Sequence, residues 1–161
     1  MHLRLAELSD AEAIRSIYNL EVTTSTVTFD LVPRTLAAQR AWLQARSGVH
    51  AVVVAEREDE VVGFASLSPY KERAAYRTSV EDSVYVDRDR NGEGIGRLLL
   101  THVVDVARAS GFHAVMARIE AGGTASRALH ARCGFELVGI EREVGRKFNR
   151  WLSVAVMQLM L

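Results

Sequence analysis

The chain has 161 residues; 48% are hydrophobic, 25% are charged and 2 are proline. This is ordinary globular composition, enough for one domain over residues 1–161, and it excludes disordered, collagen-like and low-complexity classes. Lys plus Arg number 20 and Asp plus Glu number 20, so the net charge is zero, and a general nucleic-acid binder, which needs surplus cations, is not expected. No apolar run approaches membrane-spanning length, and the chain starts as an alternating strand rather than a secretion signal. A cytoplasmic protein without a membrane partner is the expectation. The single cysteine, Cys133, excludes an intrachain disulfide and a cysteine-based zinc cluster.

Residues 2–6 alternate as a strand. Ser9-Asp10-Ala11-Glu12 then reads as a capping box, and Ile14, Ile17, Tyr18 and Glu21 continue at helical spacing. Residues 22–34 are rich in Thr and Ser, with Pro33 near the end, and favour an extended loop; a short helix is predicted over 35–46. Residues 50–56 and 61–67 are strands joined by the polar turn 57–60, a hairpin. A polar, aromatic loop over 69–78 leads to a strand over 79–86. A glycine-rich turn follows, and then a long helix with apolar positions Ile95, Leu98, Leu99, Val103 and Val106, closed by Gly111. The remainder reads as strand 113–120, helix 125–132, strand 135–141, loop, and strand 151–160. The order βααβββαβαββ puts hairpins first and βαβ later, which implies an α/β mixed sheet with helices on both faces.

The most informative segment is Asn91-Gly92-Glu93-Gly94-Ile95-Gly96-Arg97, directly before the long helix. Glycines there allow a tight turn and close approach of a ligand to backbone N–H groups, and the helix dipole adds to an anion site. The expected ligand is a phosphate or pyrophosphate. A dinucleotide-binding Rossmann unit has the strand–turn–helix–strand order and an acidic Glu120, but Leu99 stands where its third glycine belongs. A P-loop lacks its Gly-Lys-Ser/Thr. A coenzyme A site remains, since that molecule carries a pyrophosphate and an amide arm able to pair with an open strand edge. A helix start that merely uses glycines is the plain alternative.

The segment resembles the acetyl-CoA motif of the GCN5-related N-acetyltransferase (GNAT) superfamily. Within it the chain resembles the phosphinothricin and methionine sulfone/sulfoximine acetyltransferases over nearly its whole length. The matching stretches are Thr24–Phe29, Pro69-Tyr70-Lys71 with Arg73, Tyr76 and Arg77, Val80-Glu81 with Ser83–Val86, Ala125-Ser126 with Leu129-His130, Gly134-Phe135, and Gly145 with Lys147-Phe148 and Arg150–Leu152. Asn91, Gly123 and Ser153 depart from the family pattern of Gln/Arg, Asn and Asp. The resemblance implies a central, mostly antiparallel sheet of six to seven strands, splayed between the fourth and fifth. It implies acetyl-CoA as cosubstrate, a homodimer, and a small amino-acid-like acceptor, with toxin resistance as a biological role; His50, His102 and His113 read as structural, and no spacing suggests a metal site, so no metal is expected.

Acetyl transfer to an amine needs a proton acceptor, a polarised thioester carbonyl and a neutralised thiolate. Glu81 is the candidate base: its strand is apolar, and burial raises a carboxyl pKa; a strand carboxylate in a local ion pair is the alternative. Asp82 lies on the opposite face, so only one of the two faces the site. Val84, Tyr85 and Val86 would hold the acetyl group and pantetheine, the loop Asn91, Gly92, Glu93, Gly94, Ile95, Gly96 and Arg97 the pyrophosphate, with Ser126 joining the cofactor set. His130 stands where many relatives carry a Tyr that protonates the thiolate; it is a proton donor or a packed helix histidine. Phe29 and Tyr76 could wall the acceptor, Arg73 and Arg77 could clamp a carboxylate, and Lys147 could add a contact. Cys133 reads as a small buried thiol, so direct transfer is favoured over an acyl-cysteine. The rival readings are a peptide N-terminal or polyamine acetyltransferase and a non-catalytic coenzyme A-binding module.

Overall fold

A computed structural model describes residues 1–46 and 48–161. The chain begins with β1 (His2–Leu5), after which the expected Ser9/Glu12 box does not form. Instead Leu8–Asp10 makes one 3-10 turn, in which Asp10 accepts the Glu7 amide at 2.7 Å and a two-pronged contact from Arg4 at 2.7 and 2.9 Å. A carboxylate already held by a guanidinium and an amide fixes the entry into α1 (Ala11–Thr24). That helix runs three residues into the segment expected to be loop, because Val22 is buried against the sheet.

The two long hairpins share one device. β2 (Val52–Arg57) and β3 (Glu60–Pro69) are joined by Glu58 and Asp59, whose φ values are +54° and +63°. β6 (Glu136–Lys147) and β7 (Arg150–Met160) are joined by Phe148 and Asn149, at +50° and +58°. Such two-residue turns match the right-handed twist of the strands they join. β6 therefore continues past residue 141, where a loop was expected. Its register with β7 slips after Leu137 and again between Glu141 and Gly145, and the second slip breaks side-chain alternation where the sequence lost its strand signal. Ser153 Oγ accepts the Glu143 amide at 3.0 Å within the second irregularity.

The seven strands lie in the order β1-β2-β3-β4-β5-β7-β6. Every neighbouring pair is antiparallel except β4 (Ser79–Val86) and β5 (Ala114–Glu120). That parallel pairing covers Ser79↔Ala114, Val80↔Val115 and Glu81↔Met116, and stops. On its other side β4 stays paired with β3 to Val86, so from Asp82 onward only its β5-facing edge lacks a strand partner.

Helices cover both faces. α1 and α2 (Leu36–Gln44) bury Ile14, Tyr18, Val22 and Leu43 against Val52, Val54 and Phe64. On the opposite face α3 (Ile95–Ala109) buries Leu99, Leu100 and Val103 against Val53, Ala65, Val80 and Val115, and α4 (Thr124–Arg132) adds Leu129. α3 ends as expected at Gly111: with φ +83° it lets the Phe112 amide reach Ala107 O at 3.1 Å and its own amide reach Arg108 O at 3.1 Å. No helix among the described residues is long and apolar enough to cross a membrane.

Candidate active site

Where β4 and β5 part, a cleft of about 310 Å³ opens. Its walls include Ser83, Val84 and Tyr85 of β4, Ala117 and Ile119 of β5, and Ser126 of α4. Alternation along β4 decides what each face of the cleft receives. Val80, Asp82, Val84 and Val86 point to the α3/α4 side, and Glu81, Ser83 and Tyr85 to the α1/α2 side. The cleft is thus a slot through the sheet, reached by His130 from one side and by Thr26 and Val27 from the other.

At the β4 exit the chain makes a short turn over Arg88–Arg90, capped by Asp87, and enters the glycine loop. Gly92 and Gly94 sit at φ +85° and +81°, and a Cβ on either would meet nothing within 4 Å, so the glycines serve conformation and leave the space beside the backbone open. The Ile95 and Gly96 amides of the first α3 turn have no acceptor among the described residues, while those of Arg97 and Leu98 reach back to Gly94 O. These free amides at the positive end of a helix form an anion cradle. Gly96 has a different function: a Cβ there would lie 3.2 Å from Leu129 Cδ2, so its lack of a side chain lets α3 and α4 touch. Glu93 is paired with Arg57 at 2.5 Å, and Arg88 is held by Glu21 at 2.8 Å. Arg90, Arg97 and Asn91 are left without an ion-pair or side-chain partner among the described residues.

Glu81 lies at the last rung of the β4/β5 ladder, where the slot begins. Burial pushes its carboxyl above the ordinary range; Arg118, 4.0 Å away, opposes this and the Asp82 charge adds to it. Arg118 is held in turn by Glu141 at 2.8 Å. Burial alone would push His130 down, but a hydrogen bond to Asp82, the Asp82 charge and the Ser126 carbonyl outweigh it and raise its pKa. The geometry agrees: His130 Nε2 is 2.9 Å from Asp82 Oδ2, and Nδ1 is 2.8 Å from Ser126 O. The Ser126 carbonyl can only accept, so Nδ1 carries a proton, and the raised pKa of His130 favours an imidazolium facing Asp82, with side chains 4% and 1% exposed. α4 ends one turn on: Gly134, at φ +92°, lets the Phe135 amide bond His130 O at 3.0 Å, and the Phe135 ring stands edge-on to the imidazole.

The expected acceptor residues separate. Phe29 covers Gly145 of β6, where a Cβ would fall 2.3 Å from the ring. Lys147 is 4% exposed and donates to Thr28 O at 2.8 Å, which ties the 25–34 loop to the end of β6 rather than facing the slot. Tyr18 hydroxyl reaches Thr28 Oγ1 at 3.0 Å and also Asp30, securing the same loop. Arg73, Tyr76 and Arg77 lie exposed on the 70–78 loop, where Lys71 sits over the Tyr70 and Tyr76 rings. Sequence reasoning missed the partners Asp82 and Arg118. Asp82 had been placed on the opposite face from Glu81, and that is where it lies; nothing local signalled a partner 48 residues away. Cys133 is half-buried against the α3/α4 core.

A family model described as an acetyltransferase (GNAT) domain matches residues 3–155. The chain is 40% identical over 161 residues to the L-methionine sulfoximine/L-methionine sulfone acetyltransferase of Pseudomonas aeruginosa, covering 99% of this chain and 94% of that one. Its fold superposes with a TM-score of 0.98 and 40% identity on the ribosomal-protein-alanine N-acetyltransferase of Brucella melitensis, covering all of both chains. With a TM-score of 0.96 and 36% identity it also matches a phosphinothricin acetyltransferase of Sinorhizobium meliloti solved with acetyl-CoA, covering 99% of this chain and 88% of that one.

Proposed function

Because the chain belongs to the GNAT acetyltransferase family, we propose that it is a single-domain acetyl-CoA-dependent N-acetyltransferase of the α-amino group of small amino-acid-like acceptors such as methionine sulfone, methionine sulfoximine and phosphinothricin. One observation carries this reading: the unpaired edge of β4 starts at a half-buried carboxylate, Glu81, and leads to the free amides of the α3 start. An amide-bearing arm ending in a pyrophosphate fits that track from end to end. Val84, Tyr85 and Val86 would hold the arm, Asn91 to Arg97 the phosphates, and Ser126 the α4 side. The open space beside Gly92 and Gly94 and the unsatisfied Ile95 and Gly96 amides fit that ligand.

Acetyl-CoA supplies the activated acetyl group. Glu81 takes the proton from the acceptor ammonium, directly or through one water, and its raised pKa makes it a stronger base than an ordinary carboxylate. His130 holds the proton for the leaving sulfur; its Nε2 is hydrogen-bonded to Asp82, so donation requires that contact to open. Phe29 and the exposed Arg73, Tyr76 and Arg77 would meet only the far end of the acceptor, and Lys147 would act on it indirectly, by holding the Thr28 segment. The reading includes a cytoplasmic homodimer, the compartment being that of acetyl-CoA, and resistance to toxic amino-acid analogues as its use.

Turnover with acetyl-CoA across methionine sulfone, methionine sulfoximine, phosphinothricin, plain amino acids, spermidine and an alanine-led peptide tests it, with products identified by mass. Selective acetylation of the oxo-amino acids is expected. Turnover confined to the peptide would establish the second reading, which the Brucella melitensis relative favours by its activity.

A further inference from the structure

Beside the slot, on the Glu81 face, lies a second pocket of about 90 Å³, walled by Arg34, Trp42, Arg46, Ser68, Ser83 and Tyr85. It contains two half-buried guanidiniums, and neither makes an ion pair among the described residues. Arg34 lies over the Tyr18 ring at 4.0 Å and the Trp42 ring at 5.0 Å; Arg46 lies over Trp42 at 4.2 Å. Arg46 donates to Leu67 O at 3.0 Å and Ser68 Oγ at 2.8 Å, and its Nε is buried with no acceptor. Arg34 donates to Gln39 Oε1 at 3.1 Å. Asp30, which also lies on this side, is taken up by the Tyr18 hydroxyl. Burial and the Arg34 charge both push the Arg46 guanidinium down, as expected for neighbouring cations without a counter-ion.

We infer that Arg46 and Arg34 form the subsite that binds the α-carboxylate of the acceptor amino acid. The inference rests on the amino-acid reading above and specifies it. Register supplies the geometry. Ser68 stands directly opposite Glu81 in the β3/β4 ladder, so their Cα atoms are roughly 5 Å apart. The group that Arg46 reaches through Ser68 is therefore next to the base. In an α-amino acid the carboxylate is one carbon from the amine, so an amine at Glu81 puts its own carboxylate at Arg46. A pocket of this size takes a group of a few heavy atoms. A side chain ending in an oxo group is too long for it and must point instead to Phe29 and the 70–78 loop. Arg46, rather than the exposed Arg73 or Arg77, then discriminates amino acids from plain amines, because a desolvated guanidinium binds a carboxylate far better than a solvated one.

The test uses Trp42 as reporter. The only other tryptophan, Trp151, is 60% exposed on β7 and is removed as Trp151→Phe. Methionine sulfone and its carboxamide are titrated against Trp42 emission without acetyl-CoA, and both are assayed for turnover with it. The expected result is saturable binding of the acid, weakened at least tenfold for the carboxamide, and the same loss for the acid with Arg46→Met. In turnover, Arg46→Met raises the acceptor KM with a smaller change in kcat, and the KM for acetyl-CoA stays put. Arg46→Lys, which keeps the charge, restores part of the binding, and Arg34→Met serves if Arg46→Met does not fold. Equal binding of acid and carboxamide, or Arg46→Met binding the acid normally, overturns the subsite. Acid-selective binding lost in Arg46→Met, without acetylation of any amino acid, keeps the subsite and overturns the proposed reaction.

Discussion

Glu81 and Asp82 are adjacent carboxylates with opposite fates, because a strand sends neighbours to opposite faces. Glu81, pushed up by burial, should be protonated over part of the acidic range, so kcat/KM should rise with pH through a value above that of an ordinary glutamate. Glu81→Gln should lower kcat by about a hundredfold or more while leaving acetyl-CoA affinity unchanged, and it should not lower the Tm at neutral pH, since it removes a charge that burial disfavours. Unchanged turnover would remove Glu81 as the base. Asp82→Asn should instead destabilise, by about 3–5 kcal/mol, as expected when one member of a buried pair is removed. The sign in pH follows from His130, whose folded pKa is raised. The stabilisation is complete below the unfolded value of about 6.5 and disappears as pH rises through the folded one. The difference in unfolding free energy between wild type and Asp82→Asn should therefore shrink as pH rises above about 6.5 and through the raised His130 value; a constant difference would contradict a charged pair. At this scale the sequence shows which residue types sit on which face. Pairing across the fold, as with His130 on Asp82 or Arg118 on Glu141, has no local signature.

The elements were mostly legible, and so were their limits where a glycine marked them. Gly94 and Gly96 separate two uses of one residue type. A Cβ at Gly94 meets no atom within 4 Å, so Gly94→Val should cost mainly the strain of a left-handed backbone, about 1–2 kcal/mol, yet weaken acetyl-CoA binding by about tenfold or more. Gly96→Val should press on Leu129 and appear first in thermal stability. Normal acetyl-CoA affinity in a folded Gly94→Val protein would move the anion cradle elsewhere. The β6/β7 turn shows where pattern reading stops. Asn149 is a residue that accepts positive φ, but Phe148 is not, and the irregular register of β6 erased the period-two signal. Likewise α2 ends at Gln44, before the expected 46, which frees Arg46 from the helix to turn under β3.

For the whole molecule, β6 is an edge strand that shows Leu137, Val138, Ile140 and Val144 to solvent. Edges of this kind pair with other chains unless blunted, and the proposed homodimer would cover it. Val138→Lys should then convert a dimer to a monomer in light scattering; an unchanged mass would place the interface elsewhere. The parallel β4/β5 rungs have a mechanical meaning as well. Each half of the sheet is sewn by antiparallel neighbours, and among the described residues the halves are joined along the backbone only over Thr78–Glu81 and His113–Met116, with helices bridging above. The protein is thus two rafts lashed at one end, and a ligand lying along the free β4 edge would act as the missing lashing. Amide exchange should report it: acetyl-CoA should slow the β5-facing amides between Asp82 and Val86 more than those of β2 or β7, and the two rafts should then come apart together rather than in turn.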